Sequence, residues 1–316
     1  MSNINFFRVL QNFTSTGTAP DPTDWTEVRS ADLNPPLVVA SAGHFKTDGS
    51  VYFGMCTSGN PTNDSIYSFN MSTNWDISTI GSYNSTVNYE AWNTIYPSGL
   101  WFKPDGSKLF VLVLKSSSAT STPQFVIYEH DMSTNWDITT INTTNVATQS
   151  INGSDFGGGT VINLNFNANG TKCFVGSDFA TPVGTGIDRD LLVSYNLSTA
   201  YDITSMSTTH NYILTASNPT DNFNVRSYDF QDSGYTLYGG GNIQTNFPNT
   251  PAVNKDSIVK WTLTTAYDLS TATYNTIYEL PTNEGSDVDL LWKSNTEVFQ
   301  LRQNEIVKAL MQYSFT

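Results

Sequence analysis

Along most of the chain apolar and polar residues alternate in short runs, the period of a strand that buries one face. The clearest runs carry Tyr67, Phe69 and Met71; Tyr128, His130 and Met132; Val193, Tyr195 and Leu197; and Val259, Trp261 and Leu263. The same phrase follows each of them. NMSTNWDIST from Asn70 returns as DMSTNWDITT from Asp131, NLSTAYDITS from Asn196 and TLTTAYDLST from Thr262. The aromatics Trp75, Trp136, Tyr201 and Tyr267 thus recur at a spacing of roughly 60 residues, the signature of a repeat architecture.

Upstream in each unit, two apolar runs flank a turn: GHFKTDGSVYFGM from Gly43, GLWFKPDGSKLFVLV from Gly99, NLNFNANGTKCFVG from Asn163 and VRSYDFQDSGYTLYGG from Val225. Asp48-Gly49, Asp105-Gly106 and Asn169-Gly170 signal two-residue hairpins, because these residues accept the positive φ such a turn needs. Each unit reads as a hairpin, a third strand, and a fourth strand after the aromatic-Asp turn. Gly157-Gly158-Gly159 and Gly239-Gly240-Gly241 precede neither Lys-Ser/Thr nor a helix start. They are therefore read as turns between strands rather than phosphate loops. The inserts around Ser116–Pro123, Phe179–Asp190 and Ile243–Lys255 are expected to be loops at the blade edges.

A fifth unit is divided between the two ends. Asp289–Leu301 supplies a degraded hairpin, and Met311, Tyr313 and Phe315 align with Tyr67, Phe69 and Met71. The aromatic turn that should follow is found instead at Pro22–Val28, with Trp25 at the position of Trp75. Circular permutation of this kind closes a ring and removes open sheet edges, whereas a linear solenoid has no need of it. The expected fold is all-β, a single five-bladed β-propeller of four-stranded antiparallel blades, closed by an N-terminal segment that completes the last blade. Residues 1–20 form an N-terminal arm and residues 21–316 the propeller. The aromatics Trp25, Trp75, Trp136, Tyr201 and Tyr267 are assigned to packing between blades.

Composition narrows the partners. Lys and Arg number 14 against 28 Asp and Glu, a net charge of −14, which repels a phosphate backbone and an anionic lipid surface alike. Nucleic acid and membrane are excluded as partners, and a protein partner should be neutral or basic. No run of apolar residues is long enough to span a bilayer, and the first residues lack a basic start and a small-residue cleavage site, so export by a leader is not expected. Cys56 and Cys173 end strand-like runs and are expected to be free, buried thiols; neither has a His or Cys at ligand spacing, so no metal and no cofactor is expected. Asp188-Arg189-Asp190 lacks the further oxygen ligands of a calcium loop.

Catalytic chemistry finds little foothold. A glycosidase would need two facing carboxylates on the inner strands, and only Asp229, Asp287 and Asp289 qualify. They are read as solvated acids at strand ends or at the channel mouth. His130 replaces an aromatic of the third strand and is expected to be a packed, hydrogen-bonded core histidine; His44 begins a first strand and His210 lies in a linker. No nucleophile, base and acid group at a suggestive spacing.

The hairpin phrase at Gly99–Gly106 together with the turn phrase at Ser133–Thr140 resembles a repeat recurrent in proteins of marine bacteria and their phages, read as propeller blades. The resemblance spans nearly the whole chain after about Pro22. It implies a non-enzymatic phage virion component, associated with tail or capsid, present in multiple copies beside other virion proteins. A surface rich in Thr, Ser and Asn without an export signal agrees with synthesis in the host cytoplasm and release by lysis. Two alternatives stand beside it: a module that binds a host surface glycan through Asn, Asp, Tyr or Trp on the long loops, and a five-bladed glycoside hydrolase. In the arm, Phe6, Phe7, Val9 and Leu10 form a compact apolar run that either folds back on a blade edge or docks on a neighbouring virion protein by strand addition.

Overall fold

The computed structural model describes residues 25–33, 40–56, 65–88, 96–116, 124–144, 146–156, 159–180, 189–215, 222–245, 253–279, 286–294, 297–303 and 309–315. These residues form five antiparallel four-stranded sheets, the blades of a five-bladed β-propeller. Blade 1 contains β2 (Ala40–Phe45), β3 (Val51–Cys56), β4 (Ser65–Met71) and β5 (Ile80–Asn88). Blade 2 contains β6 (Tyr96–Phe102), β7 (Lys108–Ser116), β8 (Gln124–Asp131) and β9 (Ala147–Ile151). Blade 3 contains β10 (Thr160–Phe166), β11 (Lys172–Ala180), β12 (Arg189–Asn196) and β13 (Tyr212–Thr215). Blade 4 contains β14 (Asn222–Gln231), β15 (Thr236–Thr245), β16 (Val253–Leu263) and β17 (Ala272–Glu279).

Blade 5 is assembled from both ends of the chain. Its strands β18 (Ser286–Ser294), β19 (Glu297–Gln303) and β20 (Ala309–Phe315) are completed by β1 (Trp25–Asp32), which pairs antiparallel with β20 from Trp25↔Phe315 to Asp32↔Ala309. The first strands β2, β6, β10, β14 and β18 each touch the next around the ring, and β18 returns to β2. The ring is thus closed by hydrogen bonds within a blade rather than by a covalent link.

Burial follows position in the blade. In β7, the second strand of its blade, every residue from Leu109 to Leu114 is buried, because both faces of a strand inside the blade meet a neighbouring blade. The outermost β5 is mostly exposed. The apolar core is accordingly divided among the five seams between blades. Phe45, Tyr52 and Trp75 pack with Leu291, Phe299 and Leu310 between blades 1 and 5. Phe53 and Met55 meet Leu100, Phe102 and Val111 between blades 1 and 2. Trp101 and Phe110 meet Phe166 and Tyr201 between blades 2 and 3, Phe174 and Leu192 meet Tyr228 and Phe230 between blades 3 and 4, and Tyr238 meets Trp292 and Tyr313 between blades 4 and 5.

Three local expectations are corrected. The hairpins are longer than two residues: the Gly49 N–H donates to the Lys46 carbonyl at 2.8 Å and the Lys46 N–H to Val51 at 2.8 Å. In the hairpins of blades 1 to 3 only the glycine takes positive φ, +71° at Gly49, while Asp48 accepts the Ser50 N–H at 2.9 Å in an Asx turn that preorganises the loop. Gly239–Gly241 do not turn the chain but lie inside β15, where a Cβ on Gly239 would sit 2.6 Å from Val225 Cγ1. The insert at Ile243–Lys255 is in part strand, since Ile243 pairs with Lys255 and Thr245 with Val253.

Candidate functional site

The recurrent turn comes first, because it holds most of the chain's repeated polar residues. Trp75, Trp136, Tyr201 and Tyr267 adopt φ of 64°, 65°, 55° and 57°, a strained region for a bulky residue. Each donates its N–H to the carbonyl of its own hairpin glycine, Gly49, Gly106, Gly170 or Gly234, at 2.9–3.0 Å. Each ring lies so close over that glycine that a Cβ there would come within 2.2–2.5 Å of it.

The following aspartate caps a single 3-10 turn. Asp76, Asp137, Asp202 and Asp268 accept the N–H of the residue two positions on at 2.9–3.1 Å and its hydroxyl at 2.5–2.7 Å. The last hydroxyl of the motif, on Thr79, Thr140, Ser205 or Thr271, donates back to the aspartate carbonyl at 2.7–2.8 Å. Ile77, Ile138, Ile203 and Leu269 are buried beneath. The aromatics reach across the seams: Trp75 stacks on Phe299 of blade 5, Trp136 on His44 and Phe53 of blade 1, Tyr201 on Trp101 of blade 2, while Tyr267 tilts against Phe174 of blade 3. The backbone of Trp25 opens β1; its side chain lies outside the described residues, as do Phe6, Phe7, Val9 and Leu10.

The acids are largely committed to seams. Asp229, expected at the solvated channel mouth, is instead 1% exposed; its Oδ1 accepts the Phe230 N–H at 2.9 Å and the Asn165 amide of blade 3 at 3.2 Å. It is held inside because the neighbouring inner strand supplies the Asn165 amide. Asp190 accepts the Val225 N–H of blade 4. Glu129 receives Lys108 within blade 2 and the Ile203 N–H of blade 3, the latter at 2.9 Å. The side chains of Asp287 and Asp289 lie outside the described residues.

His130 is fully buried with Nδ1 3.1 Å from the Asn142 carbonyl, and burial pulls its pKa below the ordinary histidine value against the raising effect of that bond. His44 is enclosed by the rings of Trp101, Phe102 and Trp136. His210 lies 3.4 Å from Asp155, which also accepts the Tyr195 hydroxyl at 3.1 Å. Cys173 is a free, buried thiol whose pKa burial pushes up; the side chain of Cys56 is outside the described residues.

The inner strands share one further feature. Every inner strand carries a β-bulge at the same place, skipping Ser41, Ser98, Ile162, Arg226 and Val288. Ser98, Ile162 and Arg226 are half-buried while the residues on both sides of each are buried. One edge of an inner strand is covered by its own blade, so the water these residues meet lies on the axial side. Bulges re-aim side chains in this way beside binding sites. The four skipped residues whose side chains are described, Ser41, Ser98, Ile162 and Arg226, are two hydroxyls, an aliphatic side chain and a guanidinium, a set suited to hydrogen bonding rather than proton transfer. Ser98 Oγ has no hydrogen-bond partner among the described residues. A signal for these positions does exist: in blades 1 to 4 each bulge lies eight residues before the hairpin glycine.

Comparison with protein-family models and with curated proteins gives no match. Among solved structures the chain is similar to the periplasmic gluconolactonase of Pseudomonas aeruginosa, with 10% identity, a TM-score of 0.39, and coverage of 87% of this chain and 70% of that one.

Proposed function

We propose that the chain is a non-enzymatic structural or attachment component of a phage particle, associated with tail or capsid and present in many copies. The observation that carries this reading is the commitment of the repeated polar groups to architecture. Asp76, Asp137, Asp202 and Asp268 close turns, and Glu129, Asp190 and Asp229 join blades or brace inner strands. An acid engaged by two or three donors is poorly placed to shuttle protons. The resemblance of the Gly99–Gly106 and Ser133–Thr140 phrases to propeller repeats of marine bacteria and phages supports the virion setting.

Mass spectrometry of purified particles, with copy number measured against the major capsid protein, tests the reading; a stoichiometric signal supports it and absence from the particle overturns it. The apolar arm at Phe6, Phe7, Val9 and Leu10 is the proposed anchor. Deleting Met1–Thr18 should then abolish incorporation while the circular-dichroism spectrum and melting temperature are retained. Normal incorporation of the truncated chain would sink the anchor.

A glycan-binding reading is favoured by one specific feature, tyrosines exposed on outer strands.

A further inference from the structure

The chain contains two Asn-Gly pairs, Asn152-Gly153 and Asn169-Gly170. In such a pair the glycine nitrogen can close a five-membered ring on the asparagine amide carbon, because no Cβ hinders the approach. Both asparagines are exposed and both glycines are buried, so exposure does not separate the pairs. Their hydrogen bonds do.

Asn169 lies in the hairpin of blade 3. Its Oδ1 accepts the Thr171 N–H at 3.2 Å and the Thr171 hydroxyl at 2.6 Å, and the nitrogen that would attack is engaged, since the Gly170 N–H donates to the Asn167 carbonyl at 2.9 Å. Gly170 is also held at φ +72° against the Tyr201 ring, which a Cβ would approach within 2.5 Å. Ring closure here requires the hairpin to open.

Asn152 sits between β9 and the single 3-10 turn Gly153–Phe156 that precedes blade 3. Its Oδ1 accepts the Ser154 N–H at 3.2 Å, and its carbonyl accepts the Asp155 N–H at 3.0 Å. This is the arrangement at Asp76, Asp137, Asp202 and Asp268, with an amide in place of the carboxylate. The Gly153 N–H opens the turn, where it has no partner within the turn, and it makes no hydrogen bond among the described residues.

We infer that Asn152 is a site of spontaneous deamidation whose isoaspartyl product loosens the seam between blades 2 and 3. The deprotonated Gly153 nitrogen bonds to Asn152 Cγ, the amide nitrogen leaves as ammonia, and water opens the resulting succinimide. Opening at Cγ gives aspartate, the cap that the aromatic turns already use. Opening at the α-carbonyl routes the backbone through the side chain and lengthens it by one carbon. That carbon enters just ahead of Asp155, which accepts the Tyr195 hydroxyl at 3.1 Å, and of Phe156, which is fully buried with its ring 5.9 Å from that of Phe125.

The test incubates the full chain in mildly alkaline buffer, once folded and once in urea. Chymotrypsin separates the two pairs by cutting after Phe156 and Phe166; mass spectrometry reads the exchange of NH2 for OH, and electron-transfer fragmentation distinguishes isoaspartate from aspartate. In urea both pairs should convert at similar rates. In the folded chain Asn152 should convert and Asn169 should lag by roughly tenfold. Converted chain should melt roughly 2 °C lower, the shift that follows from losing one cap. Asn152→Ser, whose hydroxyl still caps the turn, should keep its melting temperature through the same incubation.

Asn169 keeping pace with Asn152 in the folded chain overturns the inference, as does an unchanged Asn152 while the urea sample reacts. An unchanged melting temperature after conversion, or an equal fall in incubated Asn152→Ser, overturns the link to the seam. None of these outcomes depends on particle incorporation, so the virion reading is tested separately.

Discussion

Gly49→Ala tests whether the aromatic turn and the hairpin are one device. An alanine Cβ at this position would lie 2.2 Å from Trp75 Nε1 and Cε2, and the backbone φ is +71°. Placing alanine in the left-handed region costs about 1–2 kcal/mol. The clash forces the indole, which is 2% exposed, out of the seam it shares with Phe45 and Phe299, and overpacking of this kind costs about 1–3 kcal/mol more. The total for Gly49→Ala is then roughly 2–5 kcal/mol. Trp75→Ala removes the ring and should cost about 3–5 kcal/mol. In the Trp75→Ala background the clash no longer exists, so adding Gly49→Ala should cost only the backbone share, about 1–2 kcal/mol. Urea unfolding followed by far-ultraviolet circular dichroism on the four chains gives the double-mutant cycle, with an expected coupling of about 1–3 kcal/mol. Additivity within about 0.5 kcal/mol would refute the reasoning, because the ring would then not rest on the glycine.

The remaining predictions concern single groups. Asp137→Ala removes the acceptor for the Thr139 N–H and hydroxyl and should lower stability by about 1 kcal/mol, read as a fall in the urea midpoint; Asp202→Ala in the next blade should add to it independently. Glu129→Ala leaves the Ile203 N–H without its acceptor and Lys108 with Asp131 as its remaining carboxylate at 3.2 Å and should cost roughly 1–3 kcal/mol, with Glu129→Gln recovering part of the loss through the bond to Ile203. His130 has its folded pKa depressed by burial, so below the ordinary value near 6.5 the unfolded chain binds the extra proton and stability falls as pH falls, until the folded pKa is reached. The variant His130→Tyr, which places there the residue found at Tyr195, should show a shallower loss of melting temperature between pH 7 and 5; identical slopes would rule out the histidine as a source of acid sensitivity.

The strands, the aromatic turns and the circular closure are legible in the chain because each depends on neighbours close in sequence or on a phrase repeated several times. Within the turn Ser72–Thr79 the hydrogen bonds span two to seven residues. Other features depend on what a different blade brings. Asp229 reads as a solvated acid until Asn165, 64 residues earlier, is seen to donate to it. The Asp48-Gly49 pair resembles a two-residue turn, and only the carbonyl of Lys46 and the side chain of Asp48 decide for the longer loop. Gly239–Gly241 read as a turn because glycine is a turn residue, yet at Gly239 it makes room for Val225 within a strand. Tyr83 and Tyr212 stand exposed on outer strands, a placement that alternation alone does not announce.

The same division separates architecture from recognition. The aromatic turn of each of blades 1 to 4 also lies against the outermost strand of the blade before it, β1, β5, β9 or β13, so one motif closes a hairpin, fills a seam and covers a sheet edge that would otherwise be open to pairing. A motif with three structural duties has little room to differ between blades, and its copies scarcely do. Positions that are equivalent by geometry but differ in chemistry have no such duties. At the inner-strand bulge blades 1 to 4 carry Ser41, Ser98, Ile162 and Arg226; on the outer rim Tyr83 and Tyr212 have no exposed aromatic counterpart among the described residues of β9. Five identical blades would present a ligand with the same surface in every direction. Specificity in a closed ring must therefore come from the positions where the blades disagree, and those are the axis and the outer strands, not the phrase by which the blades are recognised.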